Sequence, residues 1–212
     1  MKSRLLIFML ISNLNMMAQK IVQGVYQFHQ QELVASFKFS PGNKFDFFYS
    51  YGAMDRTATG TFSITGDTLH IKSDKEPGKD FTIKSESKSG AGNHIQFEGA
   101  DKYLLSNIRC SFFTGDQRRD EFTDMEGVID IDLDHCDKIF VFHQLFPDMV
   151  TLVKDEGNNN NRFVLALNPS LTQVSFKDFI FIIAGDKIVS PLINYMFPID
   201  GVIFKKQTDL NN

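Results

Sequence analysis

Apolar and polar residues alternate along residues 33–72 in four short runs separated by turns. In the first run, Leu33, Ala35, Phe37 and Phe39 fall on one side of the chain, because successive strand side chains point to opposite faces. Ser40-Pro41-Gly42-Asn43 follows. Proline presets φ and glycine admits positive φ, so this segment predicts a hairpin turn. Phe45, Phe47 and Tyr49 alternate on the return strand. A third run over residues 57–64 carries Phe62 and Ile64 on one face. Thr65-Gly66-Asp67 turns the chain again into Leu69 and Ile71. Short strands with such regular punctuation predict an antiparallel meander that closes into a barrel or sandwich, an all-β fold. Phe37, Phe45, Phe47, Phe62 and Ile71 are the candidate lining of a barrel interior.

The same pattern divides the rest of the chain. Residues 23–29 read as an opening strand, 80–88 as a fifth strand of the meander and 94–98 as a short one, so the first β unit spans residues 19–102. Near Tyr103 the texture changes. Strands are predicted over 103–113, 128–134, 138–143, 150–154 and 162–167. Thr114 to Asp120 reads as a polar hairpin loop, residues 145–148 as a turn and GNNNN at 157–161 as a polar loop. Residues 103–170 therefore form a second, small β-sandwich-like segment, either an insert or a consecutive domain. Residues 171–212 supply closing strands that pack on the first unit. The most apolar of these, residues 174–184, is expected to have both faces covered. A helical turn is expected at 192–196.

The N-terminus bears on compartment. Lys2 and Arg4 precede an apolar run of seven residues, and the small Ala18 suits cleavage before Gln19, so residues 1–18 read as a secretory signal. The apolar run is far short of the about 20 residues needed to span a bilayer. No cysteine follows it to accept a lipid. The expected product is an exported chain (periplasmic, outer-surface or secreted) that is not lipid-anchored. Loss of Lys2 and Arg4 moves the formal charge by two units, from −4 to −6, which argues against a nucleic-acid partner and against binding to anionic lipid. The 22 phenylalanines and the absence of tryptophan fit an aromatic core.

Two motif sets resemble known families. Gly24, Tyr26, Pro41-Gly42-Asn43-Lys44-Phe45, Gly60-Thr61-Phe62 and Gly66-Asp67-Thr68-Leu69 resemble exported lipocalin-like β proteins of the Bacteroidetes type. That resemblance implies a barrel able to carry a small apolar ligand. Thr123-Asp124-Met125-Glu126-Gly127 followed by Val128-Ile129-Asp130-Ile131 is similar to the turn and strand of carboxypeptidase-regulatory-like, or transthyretin-like, sandwiches.

Candidate chemistry is sparse. Cys110 and Cys136 allow a disulfide in an exported protein, or two buried free thiols. Asp130, Asp132 and Asp134 with His135 suggest a metal loop, but a calcium-binding EF-hand needs glycine and glutamate where His135 and Val141 stand, so they read as an exposed strand face. The five histidines show no paired metal spacing, no Gly-x-Ser-x-Gly elbow occurs, and Ser89-Gly90-Ala91-Gly92 reads as a turn. Asp116, Arg118, Arg119, Asp120 and Glu121 read as a solvated, mixed-sign cluster. No cofactor is indicated. The expected function is that of a non-enzymatic binding or structural protein, its partner a small apolar ligand or another exported protein. The alternative is a hydrolase whose acidic or histidine site assembles only in space.

Overall fold

The computed structural model describes residues 21–52, 54–99, 101–177, 179–190 and 201–208. The signal expected at residues 1–18 and the helical turn expected at 192–196 lie outside these residues. Five strands run as the alternation demands: β1 (Gly24–Gln30), β2 (Leu33–Ser40), β3 (Lys44–Tyr51), β4 (Met54–Thr65) and β5 (Thr68–Ser73). Each pairs antiparallel with the next, Phe37 opposite Phe47 and Phe62 opposite Ile71. In β2 and β3 the alternate residues are buried, so one face turns inward.

The chain then leaves the barrel. β6 (Phe81–Ser87), β7 (Asn93–Glu98), the single helical turn α1 (Lys102–Leu105), β8 (Ile108–Thr114), β9 (Gln117–Phe122), β10 (Val128–Ile131), β11 (Lys138–His143), β12 (Phe146–Lys154) and β13 (Arg162–Leu167) build two four-stranded sheets, ordered β10-β7-β13-β6 and β12-β11-β8-β9. Their inner faces share one core, in which Ile95, Phe97, Phe163 and Leu165 meet Ile108, Phe112, Ile139 and Val141. After a 3-10 turn at Pro169–Thr172 the chain returns as β14 (Phe179–Ala184), β15 (Lys187–Val189) and β16 (Ile203–Lys206). These continue the antiparallel sequence from β5 and meet β1, closing an eight-stranded barrel.

The structure corrects several expectations. Residues 80–98, read with the first unit, pair instead with β13 and β10, so the insert begins near residue 80 rather than 103. The reason is closure: β5 takes β14 as its second neighbour and leaves no open barrel edge. Residues 101–106 form a capped helical turn, not strand, because the Asp101 carboxylate accepts the Tyr103 N–H and the Lys102 carbonyl accepts the Ser106 N–H. The charged segment after Thr114 is strand β9, tied to β8 through Thr114 opposite Gln117. An edge strand with one face in water tolerates such charge, and the charge blunts sheet-to-sheet pairing. The turn expected at 145–148 is shorter, since β12 already starts at Phe146. In β14 Phe179, Phe181 and Ile183 face the core while Ile182 is exposed, so one face is covered rather than two.

Phe37 is the hub of the barrel interior. Its ring lies within 4.6–5.8 Å of the rings of Phe39, Phe45, Phe47, Phe176, Phe181 and Phe204. Phe176, from the returning crossover, also packs edge-on against Phe47 at 5.0 Å. The five candidate lining residues are all buried in this cluster. Gly60 shows how close the strands approach. A Cβ there would stand 2.1 Å from the Lys72 carbonyl oxygen, with Phe45 behind it.

Where the two units join, the crossing segments carry buried charge. Lys75 and Asp80 form an ion pair at 2.7 Å with both side chains 2% exposed. Lys75 also donates to the Gln173 carbonyl at 2.8 Å, and Arg56 donates to the same carbonyl at 2.9 Å. The Arg56 guanidinium stacks over Phe146 of the insert at 5.5 Å. Backbone bonds from Val174 to Thr57 and from Ser73 to Phe176 complete the joint. Met54 packs against both cores.

Candidate functional site

Three loops at one end of the sandwich enclose a cleft of about 220 Å³. Its walls come from residues 88–93 between β6 and β7, 134–137 ahead of β11, and 154–161 between β12 and β13. Asn161 ties the first loop to the third: its Nδ2 donates to the Gly92 carbonyl at 2.6 Å, and its Oδ1 accepts the Ser89 N–H at 2.9 Å. Gly92 sits at φ +65°, and a Cβ on it would meet the Ile131 carbonyl oxygen at 2.6 Å, so only glycine fits this wall. In the asparagine run, Asn158 Oδ1 accepts the Asn160 N–H and Asn158 Nδ2 donates to Glu86, which holds the turn open toward the cleft.

The floor is Lys154, 5% exposed. Its Nζ donates to the Asn158 carbonyl and, at 3.1 Å, to the Asn160 carbonyl. Strand alternation does not lead to this inward lysine. A register shift between Ile139 and Phe140 sets Lys154 opposite the inward Ile139, so both Val153 and Lys154 are buried. A bulge leaves no mark in the residue pattern, which is why sequence reasoning passed over Lys154. The only available signal was the GNNNN run, read simply as a polar loop.

On the wall formed by residues 134–137, the reactive groups are engaged. Asp137 accepts the Gly115 N–H at 2.7 Å and pairs with His135 at 2.6 Å. The Gly115 N–H, with His135 beside it, holds the Asp137 carboxyl below the usual carboxylate range. Cys136 donates its S–H to the Lys138 carbonyl, and burial pushes its thiol above the ordinary range even though Lys154 pulls it the other way. Glu156 is paired with Lys138 at 2.6 Å.

The structure scatters most of the residues singled out from the sequence. Cys110 and Cys136 are both free, buried thiols: Cys110 lies in the sandwich core and Cys136 at the cleft. Burial raises the Cys110 pKa well above that of an ordinary thiol. Asp130 pairs with His94 at 2.7 Å on an exposed face, Asp132 is exposed, and Asp134 alone of the acidic row reaches the cleft rim. Arg118 with Asp120 and Arg119 with Glu121 pair along β9. His29 and His70 are exposed on the barrel. Among the described residues no group of three or more His, Cys, Asp or Glu side chains is placed to hold a metal ion.

His143 is the one buried histidine. Its Nε2 faces the Leu104 carbonyl at 2.9 Å, and its Nδ1 accepts the Leu145 N–H, so the ring is held neutral. Burial lowers its pKa below 6.5, with the Leu104 carbonyl opposing. The unfolded chain therefore binds a proton near pH 6.5 that the folded chain refuses, and the stability contributed by the neutral ring is lost as pH falls below that value. His143→Gln should flatten the loss of thermal stability between pH 7 and pH 5. Calorimetry across that range checks it, and an unchanged slope would remove His143 from the acid response.

The chain matches no protein-family model, and no curated protein or solved structure is significantly similar to it. Fold and cleft together define a nearly all-β protein: an eight-stranded antiparallel closed barrel interrupted after its fifth strand by a two-sheet sandwich. No helix among the described residues is long and apolar enough to cross a membrane.

Proposed function

We propose that this chain is an exported, non-enzymatic binding protein, with the barrel as scaffold and the loop-end cleft of the insert as the place of recognition. The observation that carries the reading is the packing of the barrel. Rings from β2, β3, β14, β16 and the crossover occupy the space that a lipocalin-like carrier leaves for its ligand. The cleft, by contrast, opens between loops held on rigid sheets, where recognition commonly sits. The hydrolase alternative draws its best support from His135 and Asp137, yet both are spent on each other and on Gly115, and the neighbouring thiol is held protonated.

Purified chain screened against soluble sugars, sugar acids, peptides and fatty acids should gain thermal stability with a small polar solute. Mass spectrometry should recover that solute unchanged. Turnover that disappears in His135→Ala would replace binding by hydrolysis, and a gain confined to fatty acids would return the ligand to the barrel. Export has its own readout in the same material: chain isolated from its native host should begin at Gln19.

A further inference from the structure

We infer that the cleft is an anion site, with Lys154 as the residue that holds the ligand's charge. The inference rests on the reading of this cleft as the place of recognition and gives it a ligand class: a small, polar molecule bearing a carboxylate or phosphate. A lysine ammonium has three N–H donors and no acceptor. Lys154 is 5% exposed, and two of its donors go to the carbonyls of Asn158 and Asn160. Among the described residues no carboxylate lies within ion-pair distance of it. Buried charge is normally paired, because a low-dielectric surrounding penalises a lone ion. Here the third donor and the uncompensated charge belong to a residue on the cleft wall.

The nearby acids do not answer that charge. Glu156 is held by Lys138, Asp137 by Gly115 and His135, and Asp134 is exposed at the rim and makes no ion pair with Lys154. A second cation, the exposed Lys88, lines the cleft from the opposing loop. A carboxylate or phosphate entering between the two lysines would supply the missing counter-charge and accept the free N–H as a charge-assisted hydrogen bond. The size limits the rest of the ligand. About 220 Å³ is below the range of roughly 300–1,000 Å³ typical of drug-sized pockets. The side chains of the 158–160 run offer amides rather than apolar surface, which suits hydroxyls on a body of about one sugar ring.

The test uses the full mature chain, with thermal unfolding and titration calorimetry in the presence of galacturonate, glucose 6-phosphate, inorganic phosphate or neutral galactose. The expected result is a concentration-dependent rise in Tm with at least one anion and none with galactose. Galacturonate and glucose 6-phosphate distinguish carboxylate from phosphate, and inorganic phosphate shows whether the sugar ring contributes. Lys154→Met keeps the apolar stem and removes the charge. It should leave the ligand-free Tm unchanged or higher and abolish the anion-dependent rise. Lys88→Gln, at an exposed position, should leave the fold intact and weaken anion binding roughly ten-fold, as loss of one charge-assisted contact does. The Lys88 variant keeps the test open if Lys154→Met does not fold. An anion-dependent rise that survives in both variants overturns the assignment, and so does a wild-type chain indifferent to every anion. If galactose stabilises the chain and the anions do not, the anion assignment falls and the binding reading stands. If no solute of any class binds, both fall.

Discussion

Phe37→Ala should cost about 3–5 kcal/mol of unfolding free energy, the range seen when a large buried aromatic is truncated in a rigid core. For a chain of this size that corresponds to a fall in Tm of roughly 10 °C. Phe37 is fully buried and its ring contacts six others, so the cavity left behind has no flexible neighbour to fill it. Phe48 provides the control. It lies on β3, one residue from the inward Phe47, and is 40% exposed, so Phe48→Ala should cost well under about 1 kcal/mol. Chemical denaturation of the two variants compares them directly. A Phe37→Ala cost no larger than that of Phe48→Ala would mean that the interior is not the packed cluster described.

Lys75→Met should be comparably damaging, by about 3–5 kcal/mol, because it removes the ammonium that pairs with the buried Asp80 carboxylate and donates to the Gln173 carbonyl. The double variant Lys75→Met, Asp80→Leu should recover most of that loss, since replacing both members of a buried pair by apolar residues is often neutral or stabilising. A double-mutant cycle by urea denaturation reads the coupling. Simple additivity of the two single changes would show that Lys75 acts through its carbonyl bonds and not through Asp80. The joint also couples the two cores, as Arg56 bonds the Gln173 carbonyl while stacking on Phe146 of the insert. Wild-type unfolding should therefore follow one transition by near- and far-ultraviolet dichroism, and Lys75→Met should broaden it or split it in two.

The strands of the first unit were legible because each has one wet face and one dry face, and alternation records that directly. Residues 33–40 and 44–51 match β2 and β3 closely, and the inward set Phe37, Phe45, Phe47, Phe62 and Ile71 follows from period two alone. The boundary of the insert was not legible. Residues 81–87 carry the same alternating texture whether they extend the barrel or pair with β13, and pairing partners leave no local trace. Capping hid the helical turn at 102–105, and edge position hid β9, whose charges resemble those of a loop. The cleft was the least visible feature. Its walls join residues as far apart as Ser89 and Asn161, 72 positions along the chain, and its floor lysine points inward only because a register shift turns it there.

By itself the sequence determined the all-β class, the aromatic inner face of the first strands and the hairpin turns, because these depend on near neighbours and on the two-residue strand period. Only the tertiary structure decided that β14, β15 and β16 close the barrel onto β1, that Phe176, Phe181 and Phe204 fill it, and that Lys154, Lys88 and the asparagine loop share one cleft. Those outcomes depend on which distant segments meet, and the chain's pairing energies select that only when the whole fold is assembled.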